Sequence, residues 1–337
     1  MKQTLAALLI ISLLAIAAST ATAGDNGSPV AIAIHAGAGT IRRENLAPED
    51  EARIRSRLEE AVTAGHAVLA SGGTSLNAVT KAITILEDAP FFNAGRGAVF
   101  NAEGKNELDA SIMDGETLNA GAVAGVHNVR NPVLLARKVM TESVHVMLIG
   151  EGAEAFARQQ GIVFEDDAYF HTDYRWEQLQ KAKARERENA QASGTPDTWL
   201  STVGAVALDS AGNLAAATST GGMTNKQWGR VGDVPVIGAG TYADNESCAV
   251  SATGHGEYFI RATVARDICA RVEYTGASLQ EAADQVVMQK LVEMEGSGGI
   301  IALDPRGNIS LTFNSDGMYR ASVDTKGKVY TGIYKDE

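Results

Sequence analysis

One short segment constrains the fold more than any other. Val30-Ala-Ile-Ala-Ile34 is apolar at every position, and successive side chains of a strand point to opposite faces. A strand of this kind has no face to show to water, so it belongs inside stacked layers. Periodicity elsewhere supplies the cover. Residues 48–70 bring back Ile54, Leu58, Ala61, Val62 and Val68 at three- and four-residue steps, and residues 74–86 do the same with Leu76, Val79, Ala82 and Ile83, the pattern of amphipathic helices. Residues 133–140 read as a helix entered just behind Pro132. Helices are also expected at 152–160, 257–273 and 278–294, the last opened by a capping box of Ser278 and Glu281. Strands are expected at 110–113, 119–126, 144–149 (buried), 202–208, 214–218, 248–252, 299–303, 309–313, 318–322 and 329–333. Asp209-Ser-Ala-Gly-Asn213 reads as a hairpin turn. Strands open both halves and helices follow, which implies sheet layers covered by helices.

The first residues stand outside this pattern. Met1-Lys2 gives a positive start, residues 5–18 are an almost unbroken apolar run, and Ala21-Thr22-Ala23 supplies small residues where a signal peptidase reads. That is a secretory leader cut after Ala23, so export to the periplasm or the medium is expected. A membrane anchor is the competing reading, but the run is shorter than the roughly 20 residues a spanning helix needs. A formal charge of −12 argues against nucleic acid or an anionic membrane as partner. Cys248 and Cys269 fall in a strand and a helix with nothing to specify pairing, so two buried free thiols are expected. Two cysteines and six scattered histidines do not assemble a zinc site. Residues 174–192 are polar and charged, Arg175 among them, and Ser193-Gly-Thr-Pro-Asp197 follows. This reads as a solvated helix and a linker.

The sequence lacks a Gly-x-Ser-x-Gly elbow, a His-Glu-x-x-His helix, a phosphate loop and, after its first strand, a dinucleotide fingerprint. It is rich instead in Thr and Gly between residues 201 and 256. Ser201-Thr-Val-Gly204 opens a strand, Thr218-Ser-Thr-Gly-Gly-Met223 ends the next, Gly229-Arg-Val-Gly-Asp233 carries one cation and one anion, and Ala252-Thr-Gly-His-Gly-Glu257 joins a strand to a helix. Each piece alone has a structural explanation, as a turn or as β-propensity. Together they hold what amide hydrolysis needs: a hydroxyl, an anion-binding turn, and an Arg/Asp pair for a zwitterion.

These runs resemble the plant-type asparaginase or isoaspartyl peptidase family of N-terminal nucleophile hydrolases. The first half carries the likeness through His35-Ala-Gly-Ala-Gly-Thr40, Phe92-Asn-Ala-Gly-Arg-Gly-Ala-Val-Phe100, Glu107-Leu-Asp-Ala110 and Met113-Asp-Gly115. The resemblance implies an α+β fold, a four-layer αββα sandwich in which residues 24–201 and 202–337 become large and small subunits of one domain. It implies self-cleavage between Ser201 and Thr202, with the freed amine of Thr202 serving as base for its own hydroxyl. Carried over position by position, Thr220 assists that hydroxyl, Arg230 binds the substrate carboxylate and Asp233 its ammonium. Thr253 and the Gly254 N–H form the oxyanion hole, Gly256 lines the pocket, and Asn93 positions the nucleophile region. No cofactor is implied for catalysis. A structural sodium is implied, held by carbonyls of Leu86, Glu87, Ala89, Phe92, Ala94 and Arg96, as is a dimer of αβ heterodimers.

The sequence departs from the family pattern in places. Ser201 stands where many relatives have Gly or Asp, Ala36 replaces a Gly, and Trp228 enters the loop before Arg230. His255 is read as structural or pocket-lining. The implied activity is hydrolysis of L-asparagine and β-aspartyl dipeptides. A glycosylasparaginase, a non-enzymatic solute-binding protein and an inert relative are the alternatives.

Overall fold

A computed structural model describes residues 29–189 and 202–337. The strands are β1 (Ala31–Gly39), β2 (Leu108–Asp114), β3 (Ala120–Val126), β4 (Met147–Ile149), β5 (Val203–Leu208), β6 (Leu214–Thr220), β7 (Thr241–Ala243), β8 (Ala249–Gly254), β9 (Gly298–Leu303), β10 (Ile309–Ser310), β11 (Gly317–Val323) and β12 (Val329–Tyr334). The helices are α1 (Pro48–Ala70), α2 (Ser75–Glu87), α3 (Pro132–Glu142), α4 (Gly150–Gln159), α5 (Asp167–Phe170), α6 (Asp173–Asn189), α7 (Gly256–Ala262), α8 (Val264–Thr275), α9 (Leu279–Asp284) and α10 (Leu291–Glu293), with a π-helical stretch, Gln285–Lys290, between the last two.

Eight strands form one sheet in the order β12-β11-β1-β5-β6-β2-β3-β4, and four form a second in the order β10-β9-β8-β7. The apolar β1 lies inside the first sheet, antiparallel to both β11 and β5. Its alternate residues serve two cores. Ile32 and Ile34 face Leu58, Val62, Val79 and Ile83 of α1 and α2. Ala31 and Ala33 face the second sheet, where Ala249, Ile301 and Leu303 meet them. Small residues on that face let two sheets stack at short range. The outer face of the second sheet, with Val250, Ala252 and Ile300, packs on Ile268, Leu279 and Val287. The result is the expected αββα sandwich. Close approach is enforced at Gly65, where a Cβ would collide with Ile32.

Local signals explain the element ends. Pro48 opens α1, whose first turn carries Glu49, Asp50 and Glu51, a favourable match to the helix dipole. Thr74 caps α2 by accepting from the Asn77 N–H, and the Ser278/Glu281 capping box forms at α9. Asp209 Oδ1 accepts from the N–H groups of Ala211 and Asn213, fixing the β5–β6 turn.

Four expectations are corrected. Cys248 and Cys269 are not free thiols; they form a disulfide, with Cα atoms 5.3 Å apart. The strand at 144–149 is not buried: β4 is a short edge strand, and Val144 is 96% exposed. The helix expected over 257–273 is broken at Thr263, which adopts a left-handed conformation between α7 and α8. Arg175, taken as solvated, is 3% exposed. It donates to the carbonyls of Gly97 (2.8 Å) and Phe91 (3.3 Å) and to Gln178 Oε1 (2.9 Å), so the buried guanidinium is satisfied by two backbone oxygens and one side-chain amide. The leader and Ser201 lie outside the described residues.

Candidate active site

Strand pairing assembles the site. The inward faces of the central strands are apolar at one end and polar at the other: Ala31, Ala33, His35 on β1; Leu208, Val206, Gly204 on β5, continuing to Thr202; Leu214, Ala216, Thr218, Thr220 on β6; and Met113, Ser111, Asp109 on β2. All the polar ends fall at the same edge. The register Val203↔Ser219 sets Thr202 against the end of β6, and Thr202 Oγ1 donates to Thr220 Oγ1 at 3.0 Å. Thr220 Oγ1 in turn accepts from the Gly222 N–H at 3.0 Å.

Thr202, Thr220, Gly222, Met223, Arg230, Gly232, Asp233, Val234 and Gly254 line one cleft. Arg230 points its Nε and Nη2 at the Glu257 carboxylate, at 2.8 and 3.0 Å, a bidentate pair across the rim. Asp233 is 4% exposed, and its Oδ2 finds no partner among the described residues. Burial pushes its carboxyl up to about 7 against the pull of Arg230, because the charged form is the one desolvation penalises. Gly256 faces both groups: a Cβ there would lie 2.8 Å from Arg230 Nη2 and 2.9 Å from Asp233 Oδ1. Thr253 is buried at the end of β8, and its Oγ1 also lacks a partner among the described residues. At Gly254 a Cβ would come within 2.6 Å of the Phe259 ring and of the Ser297 carbonyl.

Asn93 stands behind the cleft rather than in its lining. Its Nδ2 donates to the Gly222 carbonyl at 2.7 Å and its Oδ1 accepts from Val99 N–H at 2.9 Å. It therefore ties its own loop to the turn after Thr220. That loop gathers carbonyls: a Cβ on Gly95 would lie 2.6 Å from the Glu87 oxygen, and one on Gly97 would lie 2.9 Å from the Ala89 oxygen and collide with that of Phe92. The carbonyls of Phe92 and Ala94 accept the N–H groups of Ala94 and Gly97, and a carbonyl oxygen has two lone pairs. An all-oxygen, uncharged donor set of this kind fits a hard monovalent cation.

Several neighbours escaped the sequence reading. Met223 and Val234 line the cleft but sit in runs read only for their Thr, Gly and Asp. Lys226 is buried beside Gly222; its Nζ donates to the Glu107 carbonyl at 3.1 Å and stands 3.5 Å from the Glu107 carboxylate. Asp109 is fully buried, accepts from the Gly125 N–H at 2.8 Å, and is raised by burial against the pull of Lys226. Trp228 is 97% exposed and does not line the cleft. His255 occupies the N-cap position of α7 and packs against Tyr258. A larger cavity of about 470 Å³, lined in part by Phe100, His127, Glu154 and Phe170, lies away from Thr202. The smaller cleft is where the Thr202 and Thr220 hydroxyls, Arg230 and Asp233 come together.

Residues 28–333 match the family model described as asparaginase. The chain is 53% identical over 308 residues to an isoaspartyl peptidase of Salmonella typhimurium, covering 90% of this chain and 98% of the relative. It is 52% identical over 309 residues to an isoaspartyl peptidase of Escherichia coli, covering 91% and 96%. It is 40% identical over 307 residues to an isoaspartyl peptidase/L-asparaginase of Danio rerio, covering 90% and 94%. With its sandwich, its threonine-lined cleft and matches of this extent, the chain belongs to the asparaginase family of N-terminal nucleophile hydrolases.

Proposed function

We propose that the chain is an exported precursor that cuts itself before Thr202 and then hydrolyses β-aspartyl dipeptides and L-asparagine. The observation that carries this is the Thr202 hydroxyl, 3.0 Å from Thr220, in one cleft with Arg230 and Asp233. In self-cleavage Thr202 Oγ attacks the Ser201 carbonyl. The Ser201–Thr202 C–N bond breaks, the amide nitrogen takes a proton, and water hydrolyses the resulting ester. The freed α-amine, with a reference pKa of roughly 7.7–8.0, then accepts the Oγ proton as Oγ attacks the substrate amide. Thr253 Oγ1 and the Gly254 N–H stabilise the oxyanion. The leaving ammonia or amine departs with a proton, and water releases aspartate from Thr202. Arg230 grips the substrate α-carboxylate, exchanging its Glu257 partner for the ligand, and Asp233 takes the α-ammonium.

The subunits of this reading are residues 24–201 and 202–337. Two heterodimers pair, and the exposed apolar side chains of Val144, Val146 and Ile149 supply surface for association. A sodium ion held by the Leu86–Arg96 carbonyls stiffens the loop that carries Asn93. Export after removal of residues 1–23 is supported by the disulfide, since such bonds persist in oxidising compartments. Among the described residues no helix is long and apolar enough to cross a membrane.

Intact mass under denaturing conditions tests the reading. Two fragments divided before Thr202 are expected, with cleavage and hydrolysis both lost in Thr202→Ala. A chain that stays whole for days, or a Thr202→Ala variant that still hydrolyses, overturns it. Turnover of glycosylated asparagine without turnover of β-aspartyl dipeptides would assign the glycosylasparaginase activity instead.

A further inference from the structure

A chain of buried polar side chains runs between the two sheets and starts at the nucleophile. His35 Nδ1 lies 2.9 Å from the Thr202 carbonyl, and Nε2 lies 3.0 Å from Ser251 Oγ. Ser251 Oγ meets Thr218 Oγ1 at 2.6 Å, Thr218 meets Thr241 Oγ1 at 2.5 Å, and Thr241 meets Ser111 Oγ at 2.7 Å. Ser111 Oγ reaches the carbonyl of Val234 at 2.6 Å, and Val234 follows Asp233. His35, Ser111, Thr218, Thr241 and Ser251 are all fully buried. Register builds the row: His35 pairs with Gly204, Gly204 with Thr218 and Thr218 with Ser111, while Thr241 pairs with Ser251 in the facing sheet. The space is reserved at Gly204, where a Cβ would overlap both His35 Nε2 and Ser251 Oγ.

Hydrogen counting gives the row a direction. Both ends are carbonyls, which only accept. A neutral imidazole and four hydroxyls supply five protons for seven contacts, the seventh being a 3.3 Å approach of Thr218 Oγ1 to the Gly240 carbonyl. Burial, with no carboxylate partner among the described residues, keeps His35 neutral, its pKa lowered to about 3. The proton on Nδ1 is therefore committed to the Thr202 carbonyl, so Nε2 must accept from Ser251, and Ser251 from Thr218. Two contacts go without a proton: Thr218, committed to Ser251, has none for the Gly240 carbonyl, and Ser111 divides its hydrogen between Thr241 and Val234.

We infer that His35 is a positioning residue for the nucleophile, and that the Ser251–Thr218–Thr241–Ser111 row holds it in register with the backbone behind Asp233. Once Thr202 is a chain terminus, nothing precedes it to fix its orientation. The carbonyl bond from His35 and the β5 ladder fix its peptide plane, and the Thr220 bond fixes the hydroxyl. The amine is then set against Oγ, and the substrate end of the cleft is tied to the same row. A misplacement of about 1 Å at a reacting group costs on the order of a hundredfold in rate, so the loss should appear in kcat.

The inference rests on Thr202 being the nucleophile, which Thr202→Ala tests separately. Four variants of the full chain would be assayed on a β-aspartyl dipeptide, with melting temperatures recorded. His35→Ala is expected to slow self-cleavage and lower kcat by about tenfold to a hundredfold with little change in KM. His35→Asn, whose amide N–H replaces Nδ1–H, should recover most of that; His35→Gln, which reaches toward Ser251 instead, should not. Thr218→Val, cutting the row but sparing His35, should lower kcat by a smaller factor, about threefold or more. Wild-type kcat in His35→Ala or in Thr218→Val overturns the inference, as does equal loss in Asn and Ala variants that melt like the wild type. If the variants fail to fold, ¹⁵N NMR of the wild-type imidazole decides. A neutral ring carrying its proton on Nδ1 from pH 5 to 9 is expected, and an Nε2–H tautomer or an imidazolium would sink it.

Discussion

Thr253 and Asp233 each keep a buried oxygen without a partner among the described residues, and such groups cost stability unless a ligand or a transition state uses them. Thr253→Val removes the unpaired hydroxyl at constant shape. Its melting temperature should therefore stay level or rise, while kcat drops by about 10²-fold or more if Oγ1 serves the oxyanion. A variant with normal turnover would remove Thr253 from the hole. Asp233 predicts a pH effect. Its carboxyl sits near 7 in the free protein, so below that pH it is neutral and cannot pair with an ammonium. The kcat/KM of the free enzyme should fall as pH drops through about 7, more steeply than kcat, because bound substrate holds Asp233 ionised. Profiles of kcat and kcat/KM that fall together would assign the limb to the amine of Thr202 alone.

At the scale of elements, the disulfide staples β8 to α8. Cys248 enters the strand that ends in Thr253 and Gly254, and Cys269 lies on the helix packed over it. The bridge spans a sequence separation of 21, for which loop-closure entropy gives about 3 kcal/mol. Reduction, or the double change Cys248→Ala and Cys269→Ala, should lower unfolding free energy by that order in urea titrations and leave kcat nearly intact. Unchanged stability would mean that the unfolded chain is compact around this region. The π-helical stretch and the break at Thr263 lie in the same covering layer. Neither has a signature in apolar periodicity, because both are adjustments of helix path to the sheet below.

Across the whole molecule, the two halves are interleaved. Reading along the large sheet, β12 and β11 come from the second half, β1 from the first, β5 and β6 from the second, and β2, β3 and β4 from the first. Cutting the chain before Thr202 therefore leaves three antiparallel seams, β11–β1, β1–β5 and β6–β2, to hold the pieces. The cleaved protein should elute as one species holding both fragments and unfold in a single urea transition. Fragments that separate without denaturant would contradict this interleaving.

The residues alone determined much of this. An apolar β1 demanded two covering layers, helical spacing located α1 and α2, and the Thr/Gly runs marked the segments that meet in the cleft. Those features are legible because local periodicity and turn chemistry act over a few residues. Other outcomes depended on which segments meet. Cys248 and Cys269 bond because β8 and α8 pack together, and Arg175 is buried because α6 docks on the Gly97 carbonyl. The row from His35 to Ser111 exists because five strands in two sheets align there. Sequence periodicity records how many faces of an element are covered. Only strand order and register choose what covers them, and here that choice joins the Thr202 carbonyl to the backbone behind Asp233.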